Sequence, residues 1–112
     1  MKLITAVVKP SKLDDVKAAV KAAGVHGMTV TEVQGFGRQA GHTETYRGTE
    51  YTIDFVPKVR LEILVSEGEL DAVTAALAAS AQTGKIGDGK IWITPVEQVL
   101  RIRTGEHGED AI

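Results

Sequence analysis

The segment Gln82 to Lys90 reads QTGKIGDGK, with Gly84, Gly87 and Gly89 inside six positions and Lys85 and Lys90 beside them. Such a loop can turn several backbone N–H groups toward one anion while the lysines add positive charge. Gly84-x-x-x-x-Gly89-Lys90 also matches the opening of a Walker A loop. However, Ile91 stands where Ser or Thr would bind magnesium, and the following IWIT reads as a strand where a helix should begin. A glycine-rich hairpin with solvated lysines explains the segment equally well. Arg101 and Arg103 alternate with Leu100 and Ile102, which on a strand puts both guanidiniums on one side, spaced to grip a polyphosphate. A solvated edge strand is the plain alternative. The two segments together favour an anion site, provided they meet in the fold or across a subunit boundary.

Other chemistries are less well supplied. Asp88 is the only carboxylate in the glycine loop, so a phosphoanhydride hydrolase would lack a convincing base and nucleophile. There is no cysteine, and His26, His42 and His107 are scattered without the spacing of a metal site. That tells against a divalent-metal-binding trimer and assigns the histidines to the surface. Between two strand-like segments, Gly37 to Pro57 is a run of about twenty mostly polar residues that carries Tyr46 and Tyr51. Loops of that length are uncommon in compact domains unless they are used, and this one reads as a mobile contact element.

The elements that position these residues follow from periodicity. Lys2 to Lys9 is a β-branched, apolar run ended by Pro10. Leu13, Val16, Val20 and Ala23 then recur at helical steps, with Ser11 expected as N-cap and Gly24 as the stop. Met28 to Phe36 is rich in β-formers, with Gly35 permitting a bulge or the close approach of a ligand. Val59, Leu61, Ile63 and Val65 alternate with charged residues as in a half-buried strand. Ser66 to Glu69 resembles a capping box before a helix with the stripe Leu70, Val73, Leu77. Ile91 to Thr94 and Val99 to Arg103 read as short strands, Trp92 as a packing residue, and Glu106 to Ile112 as a frayed acidic tail.

The order βαβ, long loop, βαβ predicts an α+β, ferredoxin-like βαββαβ sandwich with an antiparallel sheet and both helices on one face. In the first strand Ile4, Ala6 and Val8 point one way and Leu3, Thr5 and Val7 the other, so the face without helices is also apolar. An uncovered apolar sheet face invites association, and a homo-oligomer is expected. The 112 residues form one domain by length, large enough to bury roughly two thirds of the unfolded surface. Thirteen basic and fifteen acidic residues give a net charge of −2, with no overall field for nucleic acid or an anionic membrane. The start MKLITAVVKP is too short and too soon interrupted for a secretory core or a membrane span, so a cytoplasmic protein is expected.

TEVQGFGRQAGHTETYRGTEYTIDF, from Thr31 to Phe55, followed by QTGKIGDGKIW and RIRTGE, closely resembles the PII signal-transduction proteins of bacterial nitrogen control. KPSKLDDVKAA and GMTVTEV match as well, and the resemblance runs the full length. It implies a homotrimer with ATP/ADP sites in the clefts between subunits. It further implies a target-docking loop at 37–55 that controls an ammonium transporter and the nucleotidyltransferase acting on glutamine synthetase, or other nitrogen-control proteins. Carried over residue by residue, Gly87, Asp88, Gly89 and Lys90 would cradle the phosphates, with Gly37 and Arg38 beside them. Arg101, Ile102 and Arg103 would come from the subunit partner, and Thr29, Glu62, Ile63 and Leu64 would surround base and ribose. Gln39 would ligate a Mg²⁺ that also holds ATP and 2-oxoglutarate. Ala40, Gly41, Lys58 and Gly87 would complete the keto-acid site, Lys58 pairing with a carboxylate. Tyr51 would be the site of uridylylation or adenylylation, while Thr49 is not the serine phosphorylated in some relatives. The implied protein is a regulator and not an enzyme.

Overall fold

Strand β1 (Lys2–Val8) lies at the middle of a four-stranded antiparallel sheet, flanked by β5 (Val56–Val65) and β6 (Lys90–Pro95), with β2 (Thr29–Gly35) outside β5. The computed structural model describes residues 1–37, 45–46, 49–50 and 54–112. Arg38, Gln39, Ala40, Gly41, His42 and Tyr51 lie outside the described residues. Within the long connection, β3 (Thr45–Tyr46) and β4 (Thr49–Glu50) form a two-residue antiparallel ladder that the sequence pattern does not announce. Helices α1 (Leu13–Ala22) and α2 (Leu70–Ala81) complete two interleaved βαβ units, the ferredoxin-like arrangement the sequence predicts.

The period-2 pattern of β1 decides which face meets the helices. Ile4, Ala6 and Val8 are buried with Val59, Leu61, Ile63 and Val65 of β5, Val16 and Val20 of α1, and Val73, Leu77 and Ala81 of α2. Each fully buried aliphatic side chain of this set contributes about 1.5–3 kcal/mol of transfer free energy. The opposite face carries no helix. It presents Leu3, Val7, Leu64 and Trp92 around a buried Thr5, with Leu64 39% and Trp92 44% exposed. Trp92 is therefore only half packed within the chain, where the sequence suggested a packing residue.

Helix α1 opens differently from expectation. Ser11 lies inside a 3₁₀ turn, Pro10–Lys12, and Lys12 takes the N-cap position with no side-chain cap. Pro10 fixes φ and lacks an N–H, which suits the first position of that turn. The end of α1 is as expected. Gly24, at φ +102°, donates to the Lys21 carbonyl at 3.0 Å and Val25 donates to the Val20 carbonyl at 3.0 Å, a Schellman motif. Before α2, Glu69 reaches back to the Ser66 N–H at 3.4 Å, the carboxylate half of a capping box. The Ser66 hydroxyl donates to the same carboxylate at 2.9 Å instead of capping the helix.

The expected strand Val99–Arg103 does not form. The segment makes a single bridge, Leu100 to His107, and Ile102 to Thr104 are a turn. It joins neither edge of the sheet, and the chain folds back on itself instead. The Arg101 N–H donates to the Glu106 carbonyl at 3.0 Å and Gly105, at φ +73°, donates to the Arg101 carbonyl at 2.8 Å. Nor is the tail frayed. Gly108–Ala111 is a 3₁₀ turn, tied down by the Gly108 N–H on the Val99 carbonyl at 3.0 Å and by Arg101 Nη2 on the Ile112 carbonyl at 3.2 Å.

Candidate functional site

The glycine loop links α2 to β6, and its shape is set by left-handed backbone at Gly84, Gly87 and Gly89, with φ of +84°, +100° and +101°. Gly89 is the most constrained. A Cβ there would stand 1.7 Å from the Val7 carbonyl oxygen, so only glycine lets the loop lie on β1. Asp88 staples the loop to its own start. Its carboxylate accepts from the Thr83 N–H at 2.8 Å, the Thr83 hydroxyl at 2.5 Å, the Gly84 N–H at 2.9 Å and the Lys9 ammonium at 3.1 Å. The Thr83 side-chain bond first, then the backbone donors and Lys9, hold this carboxyl well below the ordinary carboxylate range.

Lys58 approaches the loop from β5. It is 6% exposed, and its Nζ donates to the Gly87 carbonyl at 2.5 Å. Burial, and secondarily the positive charge of Lys9, lower its pKa, opposed by Asp88. Among the described residues this buried ammonium meets one carbonyl acceptor, and an ammonium carries three donors. Lys58, Gly87, Gly89 and Lys90 line a cavity of about 640 Å³ together with Gly35, Phe36, Gly37, Val7, Ile86 and Trp92. Two glycines, two lysines and the root of the long loop thus surround one space. Gly35 ends its ladder without a bulge, paired with Val56, and nothing stands within 4 Å of a Cβ built on it. One position further out, Phe36 and Phe55 meet edge to face with centroids 5.7 Å apart.

The other residues singled out by sequence lie elsewhere. Thr29 and Glu62 are register partners on the helix-free face, in one row with Thr5 and Trp92. Leu64 is on that face too, beside Leu3. Ile63 is 1% exposed in the core among the helices, so only its backbone can touch a ligand. Asp88 does not line that cavity and borders a second space of about 420 Å³ with Ala78, Ala81 and Gln82, which Gly89 and Lys90 also line. Arg101 is engaged with Glu106 at 2.8 Å, whereas Arg103 is exposed with no partner among the described residues.

Within one chain the arginines and the glycine loop do not meet. Strand β6 runs from Lys90 beside Val7 to Pro95 beside Lys2, about 17 Å at the usual rise per residue. The C-terminal segment starts at that far end, where Val96 donates to the Met1 carbonyl. Its Ile112 lines a third cavity with Gly24, Leu64 and Val65. Sequence reasoning missed Lys9 and Thr83 as loop-shaping residues. The signal was a hydroxyl directly before the first glycine and a lysine at the end of β1.

Comparison with known proteins decides the family. The family described as nitrogen regulatory protein P-II matches residues 1–106. Proteins named nitrogen regulatory protein P-II from Pasteurella multocida, Cereibacter sphaeroides and Azospirillum brasilense are 60%, 58% and 56% identical over 112 residues, covering all of this chain and all of each relative. The chain belongs to the P-II family. As a P-II protein it is a nitrogen-regulatory signal transducer and not an enzyme. The family agrees with the expectation of a regulator over a hydrolase, and Asp88, the one carboxylate in the loop, is held by four donors. Among the described residues of this P-II chain, no group of three or more His, Cys, Asp or Glu is placed to hold a metal, and no helix is long and apolar enough to cross a membrane.

Proposed function

We propose that this P-II family member binds ATP or ADP competitively in clefts between the protomers of a homotrimer, and 2-oxoglutarate together with Mg-ATP. The observation that carries this reading is the lysine-lined cavity at the root of the long loop, combined with arginines that only another copy can bring to it. Lys58, Lys90 and the backbone amides around Gly87 and Gly89 oppose phosphate charge. Arg101 and Arg103 of a neighbouring copy close the cleft, and Thr29, Glu62, Leu64 and the Ile63 backbone surround base and ribose. The uncovered apolar face with Leu3, Val7 and Trp92 supplies the surface for self-association.

Gln39, with Ala40 and Gly41, takes part in holding Mg²⁺ and the keto acid, Lys58 pairing with a carboxylate. Such a magnesium ion would arrive with the nucleotide and take most of its oxygens from it. Because these groups adjoin Phe36 and Gly37, ligand state biases the course of the loop at 37–55. That loop docks on an ammonium transporter and on the nucleotidyltransferase controlling glutamine synthetase, in the cytoplasm. Uridylylation or adenylylation of Tyr51 would place a bulky charge in that interface.

Titration calorimetry on the purified protein tests the reading. Expected are ATP and ADP competing for one class of site and 2-oxoglutarate binding only with Mg-ATP. Absence of ATP binding, or keto-acid binding indifferent to Mg-ATP, overturns it. Gln39→Ala is expected to abolish 2-oxoglutarate binding and leave ADP affinity nearly intact, and equal loss of both contradicts the division of the site.

A further inference from the structure

An anion-binding loop that carries a carboxylate has an electrostatic problem, and the glycine loop carries Asp88 between Gly87 and Gly89. Both flanking glycines line the lysine-walled cavity, yet Asp88 does not. It borders instead the neighbouring space of Ala78 and Gln82, on the other side of Gly89 and Lys90, which line both. Thr83 supplies two of the donors that draw it there, its N–H at 2.8 Å and its hydroxyl at 2.5 Å.

The hydroxyl is committed in that direction by its other neighbours. Thr83 Oγ1 accepts from Lys9 Nζ at 3.2 Å and from the Lys85 N–H at 3.2 Å. A hydroxyl has two acceptor positions and one proton to donate. With both acceptor positions taken, the remaining proton goes to Asp88. Lys9 also pairs with Asp88 directly at 3.1 Å, so hydroxyl, ammonium and carboxylate close a ring. The depressed carboxyl pKa agrees with this complete set of donors.

We infer that Thr83 is a positioning residue for the anion site, acting with Lys9 to turn the Asp88 charge away from the cavity so that a polyphosphate meets only lysines and amides. This rests on the nucleotide reading above. Thr83 itself need not touch the ligand. Without its hydroxyl, Asp88 keeps the Thr83 and Gly84 N–H groups and Lys9 but loses its shortest donor, the ring with Lys9 opens, and the carboxylate is held less firmly away from incoming phosphate. The repulsion of a unit charge across a few ångströms of partly screened space corresponds to a loss of about tenfold in affinity.

ATP affinity, measured by calorimetry on the full-length wild type, Thr83→Ser, Thr83→Val and the double variant Thr83→Val/Asp88→Asn, tests it. Expected are near-wild-type binding for Thr83→Ser, about tenfold weaker binding for Thr83→Val, and recovery to within about threefold of wild type in the double variant, where the charge is gone. Unchanged affinity in Thr83→Val overturns the inference. So does a double variant as weak as Thr83→Val, since Thr83 would then shape the loop without managing charge. A wild type that binds no ATP overturns the nucleotide reading itself, and this inference with it.

Discussion

The two basic regions of this P-II chain are built in opposite ways. The glycine loop is fixed by its own protomer: left-handed glycines, an aspartate held by four donors, and a lysine from β5 on the Gly87 carbonyl. The C-terminal arginines are presented. Arg103 sits in a turn with Ile102, 97% exposed, at the far end of β6, and only Arg101 is spent on holding the tail. A half-site that is rigid before the ligand arrives loses little entropy on binding. In the proposed shared site, arginines on a neighbour's exposed turn would make binding report on assembly.

The comparison breaks most sharply at Gly89. Gly89→Ala forces a Cβ onto the Val7 carbonyl from a left-handed backbone and is expected to cost about 3 kcal/mol or more in urea unfolding. A stability near wild type would show that the loop is not locked to β1.

Next in size is the division of the site between chains. Lys90→Ala and Arg103→Ala, each alone, are expected to weaken ATP binding about 10- to 100-fold through loss of a charge-assisted contact. Unfolded and reassembled together, they should regain some sites of wild-type affinity, because a cleft can then draw Arg103 from one chain and Lys90 from the other. Mixed oligomers without recovered sites would place both groups in one chain's site.

A smaller effect separates the arginines. Arg101→Ala is expected to destabilise the protein by about 1 kcal/mol, since Arg101 bonds Glu106 and the Ile112 carbonyl. Arg103→Ala should lie within about 0.5 kcal/mol of wild type. Equal effects in thermal unfolding would contradict the tail-holding role.

The subtlest is acid behaviour. The Asp88 carboxyl is held below its unfolded value near 4. Its contribution is therefore complete above that pH and is lost as pH falls further, through the folded pKa. Asp88→Asn should flatten the stability profile below about pH 4 and leave its shape near neutrality unchanged. An identical acid limb in wild type and variant would mean that the staple is not formed in solution.

Much of this was legible in the residues. The alternation in β1 and β5, the stripe on α2 and the Gly24 stop each follow from local spacing, and the structure keeps them. Where sequence reading went astray, a neighbouring turn or the tertiary fold intervened. Ser11 is a good N-cap type, but Pro10 starts a 3₁₀ turn first. Val99–Arg103 has strand composition but joins neither edge of the sheet and makes only a bridge from Leu100 to His107. Spacing also says nothing about which side of a loop a carboxylate takes, and the structure bonds the Asp88 side chain to Thr83, Gly84 and Lys9.

The amino-acid order alone determined the helix-facing side of the sheet, the Gly24 helix stop, and the family, because periodicity and long motifs are local properties of the chain. Only the folded molecule decided that Lys58 and Lys90 share a cavity, that Asp88 leaves it, and that the arginines stand a sheet's length away. These are matters of distance between segments far apart in sequence, set by strand register and by hydrogen bonds that form only once the core has closed.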